Sequence, residues 1–116
     1  MWSKLEEVFK ALGLDYSRQG SYADAADYPP SFYTFWNYET ENGYYDNDTH
    51  KTIWLWQVYY YTSDPSTLYS GMDAFISKAK SAGFVVEGKG YDIGSDRPDY
   101  VGRMITVKWV EFANKG

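Results

Sequence analysis

Residues 31–62 read SFYTFWNYETENGYYDNDTHKTIWLWQVYYYT, and how this stretch pairs with itself decides the fold. Ser31 to Tyr38 and Thr52 to Tyr61 are rich in aromatic and β-branched residues, which suit a pleated, half-buried surface. With a side-chain period of two, Phe32, Thr34, Trp36 and Tyr38 share one face of the first strand, and Tyr33, Phe35 and Asn37 the other. In the return strand Ile53, Leu55, Gln57, Tyr59 and Tyr61 lie opposite Trp54, Trp56, Val58 and Tyr60. Both of its faces are largely apolar, which predicts a central strand covered on both sides. Between the strands, Glu39 to Lys51 is acidic, rich in Asn and devoid of aliphatic side chains. It predicts a long loop, and long loops in small domains tend to carry function. Of the 24 aromatic residues in the chain, 13 lie between Tyr28 and Tyr61. One small core does not require so many, so part of the surplus is expected to face another molecule.

Working outward, Ser3-Lys4-Leu5-Glu6 has the form of a capping box. Leu5, Val8, Phe9 and Leu12 follow at helical spacing, and Gly13 supplies a stop, predicting a helix over residues 3–12. Residues 14–30 read as irregular, ending in Tyr28-Pro29-Pro30, which forces an extended approach to the first strand. On the other side, Ser63-Asp64-Pro65 predicts a helix start. Leu68, Met72, Phe75, Ile76 and Ala79 form one buried stripe, ended by Gly83. A third strand begins at Phe84 to Glu87 and extends toward Tyr91 and Ile93. Gly94 to Asp99 reads as a turn, and Arg103 to Phe112 as the last strand. The expectation is therefore an α+β fold of order α-β-β-α-β-β. One layer of helices packs on a mostly antiparallel four-stranded sheet with a long loop between the first two strands, all within one domain over residues 1–116.

The chain has 11 Lys plus Arg against 16 Asp plus Glu, a net charge of −5, and no cysteine. No basic run offers a phosphate footprint, so specific nucleic-acid binding is disfavoured. Disulfides, thiol catalysis and Cys-based metal sites are excluded together. The charged, amphipathic N-terminal segment and the absence of a long apolar run predict a protein made in a cytoplasm, with no membrane partner. Asn47-Asp48-Thr49 matches a glycosylation sequon, read here as chance.

Candidate chemistry is sparse. His50 is the lone histidine, and Asp46-Asn47-Asp48 opens like a calcium loop. The sixth position, however, is Lys51 rather than Gly, and no closing Glu follows. A solvated loop is the plainer reading. Gly88 to Gly94 has the outline of a dinucleotide turn with the wrong spacing and no following helix, so turn glycines explain it. Glu39, Glu41, Asp46 and Asp48 could form an acid–base pair, but nothing in the sequence splits their pKa values. With one His no triad is supported. No enzyme activity, cofactor or metal is expected. Tyr and Trp could stack on sugar rings, and the same residues anchor protein interfaces.

One ordered series of features runs through the chain: a proline-led aromatic strand (Pro30-Ser31-Phe32-Tyr33-Thr34-Phe35), the acidic loop (Glu39 to Asp48), a strand ending Tyr61-Thr62, and Asp64-Pro65 opening a helix. This series resembles the tail terminator or tail completion proteins of long-tailed (siphovirus-type) phages of Gram-positive bacteria, over about residues 16–112. The single residue between Thr62 and Asp64 is a shorter spacing than the family pattern. The resemblance implies a virion protein forming a ring, a hexamer, at the head-proximal end of the tail tube. That ring would end tube polymerisation and dock the tail to the head–neck complex, with DNA passing through unbound. Its partners would be its own copies, the tube protein and the neck connector. Rival readings are a neck or head-completion protein and a carbohydrate-binding module. The candidate subunit or partner interface is Glu39, Glu41, Asn42, Tyr44, Tyr45, Asp46, Asp48 and His50.

Overall fold

The computed structural model describes residues 2–18, 30–45, 49–94 and 99–113. The fold is α+β, with two helices and a mixed sheet of six strands. In chain order the elements are α1 (Trp2–Leu12), β1 (Asp15–Arg18), β2 (Ser31–Tyr45), β3 (Thr49–Thr62), a 3-10 turn (Pro65–Thr67), α2 (Leu68–Ala82), β4 (Val85–Val86), β5 (Tyr91–Ile93) and β6 (Val101–Ala113). The sheet order is β1-β2-β3-β6-β4, with β5 also paired to β6. β1 runs parallel to β2 and every other pairing is antiparallel.

The four-strand expectation is corrected in three places. Asp15–Arg18, expected to be irregular, forms β1 against Phe32–Phe35. Four residues are too few for an alternation signal. The strand is fixed by its backbone ladder and by Tyr16, which stacks on Phe9 at 5.2 Å and donates to Glu6 Oε2 at 3.2 Å. The third strand divides into β4 and β5, because Gly88 and Gly90 take φ of 73° and 81° and swing the chain out between them. The expected loop at 39–51 is mostly strand: β2 runs on to Tyr45 and β3 begins at Thr49. The helices begin slightly differently as well. α1 starts at Trp2, ahead of the expected Ser3 cap. Asp64 caps a 3-10 turn before α2, accepting from Ser66 N at 3.1 Å and Ser66 Oγ at 2.7 Å.

The core lies on one face of the sheet. The predicted α2 stripe (Leu68, Met72, Phe75, Ile76, Ala79) and Leu5, Val8 and Phe9 of α1 are all buried there. They pack against Tyr33 and Phe35 of β2, Trp56, Val58 and Tyr60 of β3, and Ile105 and Val107 of β6. Phe9 is the hub, with ring centroids 5.3 Å from Tyr33, 5.6 Å from Phe35 and 5.5 Å from Phe75. Aromatic pairs at such distances add about 0.5–1.5 kcal/mol each beyond the area they bury.

Gly71 sets how closely α2 approaches the sheet. Tyr33 Oη donates to the Gly71 carbonyl at 2.9 Å, and the Tyr60 ring fills the space where a Cβ on Gly71 would stand. Gly71→Ala is therefore expected to destabilise the protein by about 1–3 kcal/mol, the overpacking cost outweighing the roughly 1 kcal/mol that Ala gains in a helix. Chemical denaturation measures it.

Burial, with Tyr60 alongside, pushes the Tyr33 hydroxyl well above the ordinary tyrosine range. A raised folded-state pKa favours the neutral form, so this contribution to stability is intact below about pH 10, the unfolded value, and is lost as pH rises beyond it. Tyr33→Phe should lose about 1 kcal/mol at neutral pH. Its stability should then fall less steeply than the parent's above pH 10, as read by denaturation at a series of alkaline pH values.

Candidate assembly face

The opposite face of the sheet has no helix against it among the described residues. Its members are Phe32, Thr34 and Trp36 of β2, Leu55, Gln57, Tyr59 and Tyr61 of β3, and Gly102, Met104, Thr106 and Lys108 of β6, as the strand registers require. β3 is central, and among the described residues the helices cover one of its faces, while on the other Phe32, Thr34 and Met104 are buried. The reason lies in connectivity. The β3–β6 crossover carries α2 over the Tyr60 face, and α1 joins α2 there, so both helices occupy one side.

The open face is organised. Trp36 Nε1 donates to Gln57 Oε1 at 2.8 Å and reaches Tyr59 Oη at 3.4 Å, while Tyr59 Oη donates to the same Gln57 oxygen at 2.9 Å. The amide thus fixes an indole and a phenol side by side. Tyr59 and Tyr61 follow in parallel planes, 2° apart with centroids at 6.2 Å. Tyr61 lies 5.4 Å from Phe32, and Phe32 lies 6.0 Å from Tyr100. Phe32, Tyr100 and Met104 are buried at that end, whereas Trp36 remains 40% exposed.

Beyond Trp36 and Thr106 the face opens into a cleft of about 450 Å³ where β4 and β5 part, lined by Leu55, Val85, Glu87, Lys89, Tyr91 and Lys108 among others. Arg103 holds the rim in shape. It donates from Nε to the Lys89 carbonyl at 3.1 Å and from Nη2 to the Gly90 carbonyl at 3.0 Å, and it pairs with Asp92 through Nη1. Its guanidinium also lies 4.8 Å from the centre of the Tyr69 ring of α2. Gly90 passes so close to the Met104 carbonyl that a side chain there would collide with it.

The structure moves the predicted site residues out of a loop and into a hairpin. Glu39, Glu41, Asn42, Tyr44 and Tyr45 lie on β2 and His50 on β3, in register as Glu39 with Leu55, Glu41 with Ile53, Asn42 with Thr52, Tyr44 with His50 and Tyr45 with Thr49. Asp46 and Asp48 lie outside the described residues. Polarity suggested a loop, but Tyr44, Tyr45, Thr49 and Thr52 are strand formers, and a hairpin arm needs no aliphatic core. A register shift between Asn37 and Glu39 leaves Tyr38 without an opposite number. Such a bulge inverts the alternation beyond it, so Glu39 and not Tyr38 stands opposite Leu55.

Trp54, in register with Thr40, and Trp109 pack against the core cluster. Pairing of β2 with β3 continues for five more registered pairs, about 17 Å at 3.4 Å per residue. No protein-family model matches this chain, and no curated protein matches it.

Sequence reasoning found the strands of the open face but missed Gln57 and Arg103 as organisers. A glutamine in an otherwise aromatic run, and an arginine opposite a Gly-Lys-Gly turn, were the available signals. Among the described residues no group of three metal-ligating side chains comes together, and no helix is long and apolar enough to cross a membrane.

Arg103→Met should remove the rim's carbonyl donors and its Asp92 partner, costing about 2 kcal/mol. Amide hydrogen exchange should accelerate over residues 87–93 while the β2–β3 ladder stays protected.

Proposed function

We propose that this chain is a structural protein of a long-tailed phage or prophage virion, a tail terminator with no catalytic role. Six copies form a ring at the head-proximal end of the tail tube, ending tube growth and docking the tail to the neck connector. The ring is assembled in the host cytoplasm. The observation that carries this reading is the one-sided cover of the sheet, with Trp36 and its tyrosine neighbours ordered on a face that the helices leave open. Trp and Tyr are the anchors that protein interfaces favour.

Four further features support it. The ordered series from Pro30 to Pro65 resembles the terminator family. The β2–β3 ladder continues for five registered pairs past Trp54, a length of hairpin able to reach a neighbour. At the base of that arm the Trp54 indole N–H is buried without an acceptor among the described residues, a cost of about 1–3 kcal/mol that a partner's carbonyl would relieve. The net charge of −5 suits a channel through which DNA slides without adhering.

Electron microscopy of particles assembled without this protein tests the role. Overlong, headless tails are expected; normal-length tails lacking heads would instead identify a neck protein. The hairpin gives a sharper variant. Deleting residues 42–48 joins Glu41 to Thr49 and leaves four residues, Thr49 to Thr52, as the loop closing the Glu41–Ile53 pair, a workable hairpin. The monomer should fold with unchanged circular dichroism and fail to join tails; normal infectivity would count against the arm's role.

The parallel Tyr59 and Tyr61 rings beside Trp36 favour one second reading, a carbohydrate-binding face. The Trp36 indole N–H and the Tyr59 hydroxyl are engaged with Gln57 rather than offered to a ligand, which ranks it below assembly. Binding of the purified monomer on a glycan array would reverse that ranking.

A further inference from the structure

The two side edges of the sheet carry opposite charge. At one edge, β1 covers β2 only as far as Phe35, and no described strand pairs with β2 on that side beyond it. This uncovered length holds Glu39 and Glu41 and no basic residue. At the other edge, the cleft between β4 and β5 carries Lys89 and Lys108, with Glu87 as its one acidic residue. Asp92 and Arg103 nearby neutralise each other. Neither lysine has an ion-pair partner among the described residues, so the cleft keeps a surplus positive charge on an acidic protein.

The registers tie the two patches together. Glu39 pairs with Leu55, Leu55 with Lys108 and Lys108 with Val85. A single cross-strand row thus runs from an acidic edge, through an apolar position, to a basic residue beside an apolar edge. Glu39 and Lys108 are two strands apart, about 10 Å between backbones.

We infer that the occupant of the Lys89–Lys108 cleft is the Glu39–Glu41 segment of β2 from a second copy of this chain. The inference rests on the ring reading above and specifies its subunit contact. The contact is heterologous, because the acidic patch and the basic cleft lie at opposite edges of the sheet and one copy can use both at once. Leu55, Val85 and Tyr91 supply apolar area in the cleft, and Val85 and Tyr91 are 45% and 57% exposed. The lysines set orientation and register, the role charge complementarity plays at interfaces.

The test is a charge exchange read by native mass spectrometry and sedimentation. One variant carries Glu39→Lys and Glu41→Lys, and the other Lys89→Glu and Lys108→Glu. Each alone sets like charge against like and should be monomeric where the unmodified protein is oligomeric. Mixed one to one, each offers what the other lacks, and an alternating oligomer of the original subunit number should form. Lys89→Gln with Lys108→Gln, in case the Glu pair folds poorly, should lower the oligomeric fraction, and raising salt should do the same to the parent.

Retention of the oligomer by either reversed variant would overturn the inference and leave the terminator role standing, since the ring would then close through another surface. Failure of folded variants to reassemble on mixing, or a parent chain that stays monomeric at millimolar concentration, would overturn it as well. Tail length in particles lacking the protein tests the role independently of all these outcomes.

Discussion

A strand hydrogen-bonded along both edges has only its two faces left to cover, and β3 carries aromatic side chains on each. Its pairing with β2 and β6 runs nearly end to end, so the layout of the molecule follows from what lies on the Tyr60 face and what lies on the Tyr59 face. The first face is solved internally. Phe9, Phe75, Tyr33 and Tyr60 interlock, and Gly71 lets α2 settle onto the two tyrosines closely enough for its carbonyl to accept the Tyr33 hydroxyl. The second face receives no helix among the described residues, because the β3–β6 crossover carries α2 to the other side. Its aromatic rings are instead held by one another and by Gln57.

The edges of the sheet are managed as carefully as its faces. β1 blunts one end of β2 with four residues of parallel pairing. On the far side a continuous strand over residues 85–93 would have sealed β6. Gly88 and Gly90 break it, and the released carbonyls are recaptured by Arg103. A bulge of this kind exposes a pocket at a sheet edge without leaving the backbone unsatisfied. Because Arg103 also leans on Tyr69 and pairs with Asp92, the rim is tied to α2 and keeps its shape when empty. A preformed rim lowers the ordering cost that any later contact must meet.

Much of this was legible in the sequence, and the parts that were not share a physical cause. The α2 stripe, the ends of both helices at glycine, the central position of β3 and the Asp64-Pro65 start all follow from local chemistry that period and capping report directly. The continuation of β2 through Glu39–Tyr45 was hidden, because a strand built largely of polar residues reads as a loop. The bulge at Tyr38 was hidden too, since it is set by cross-strand register rather than composition. β1 is too short to show a period, and its position depends on Tyr16 finding Phe9 and Glu6. The candidate residues therefore kept their identity and changed their setting. Glu39 and Glu41 belong to a structured strand edge, which gives them fixed spacing against the rest of the sheet.

That fixed spacing is what makes polarity across the sheet consequential. If two copies met through their β2 edges, Glu39 and Glu41 would face their own duplicates; if they met through their clefts, lysines would face lysines. Like charges held opposite one another by strand geometry disfavour both two-fold arrangements, and neither can relax as freely as charges on a flexible loop. Only the contact that joins the acidic edge of one copy to the basic cleft of the next lowers the electrostatic energy, and that contact leaves one copy with an unused cleft and the other with an unused acidic edge. Addition in one direction then continues until the rotation between neighbours brings the last acidic edge to the first cleft. With the proposed contact, the charge pattern biases the protein against dimers, and the twist of the sheet, by fixing the angle between the two edges, would set the number of copies at which a ring closes.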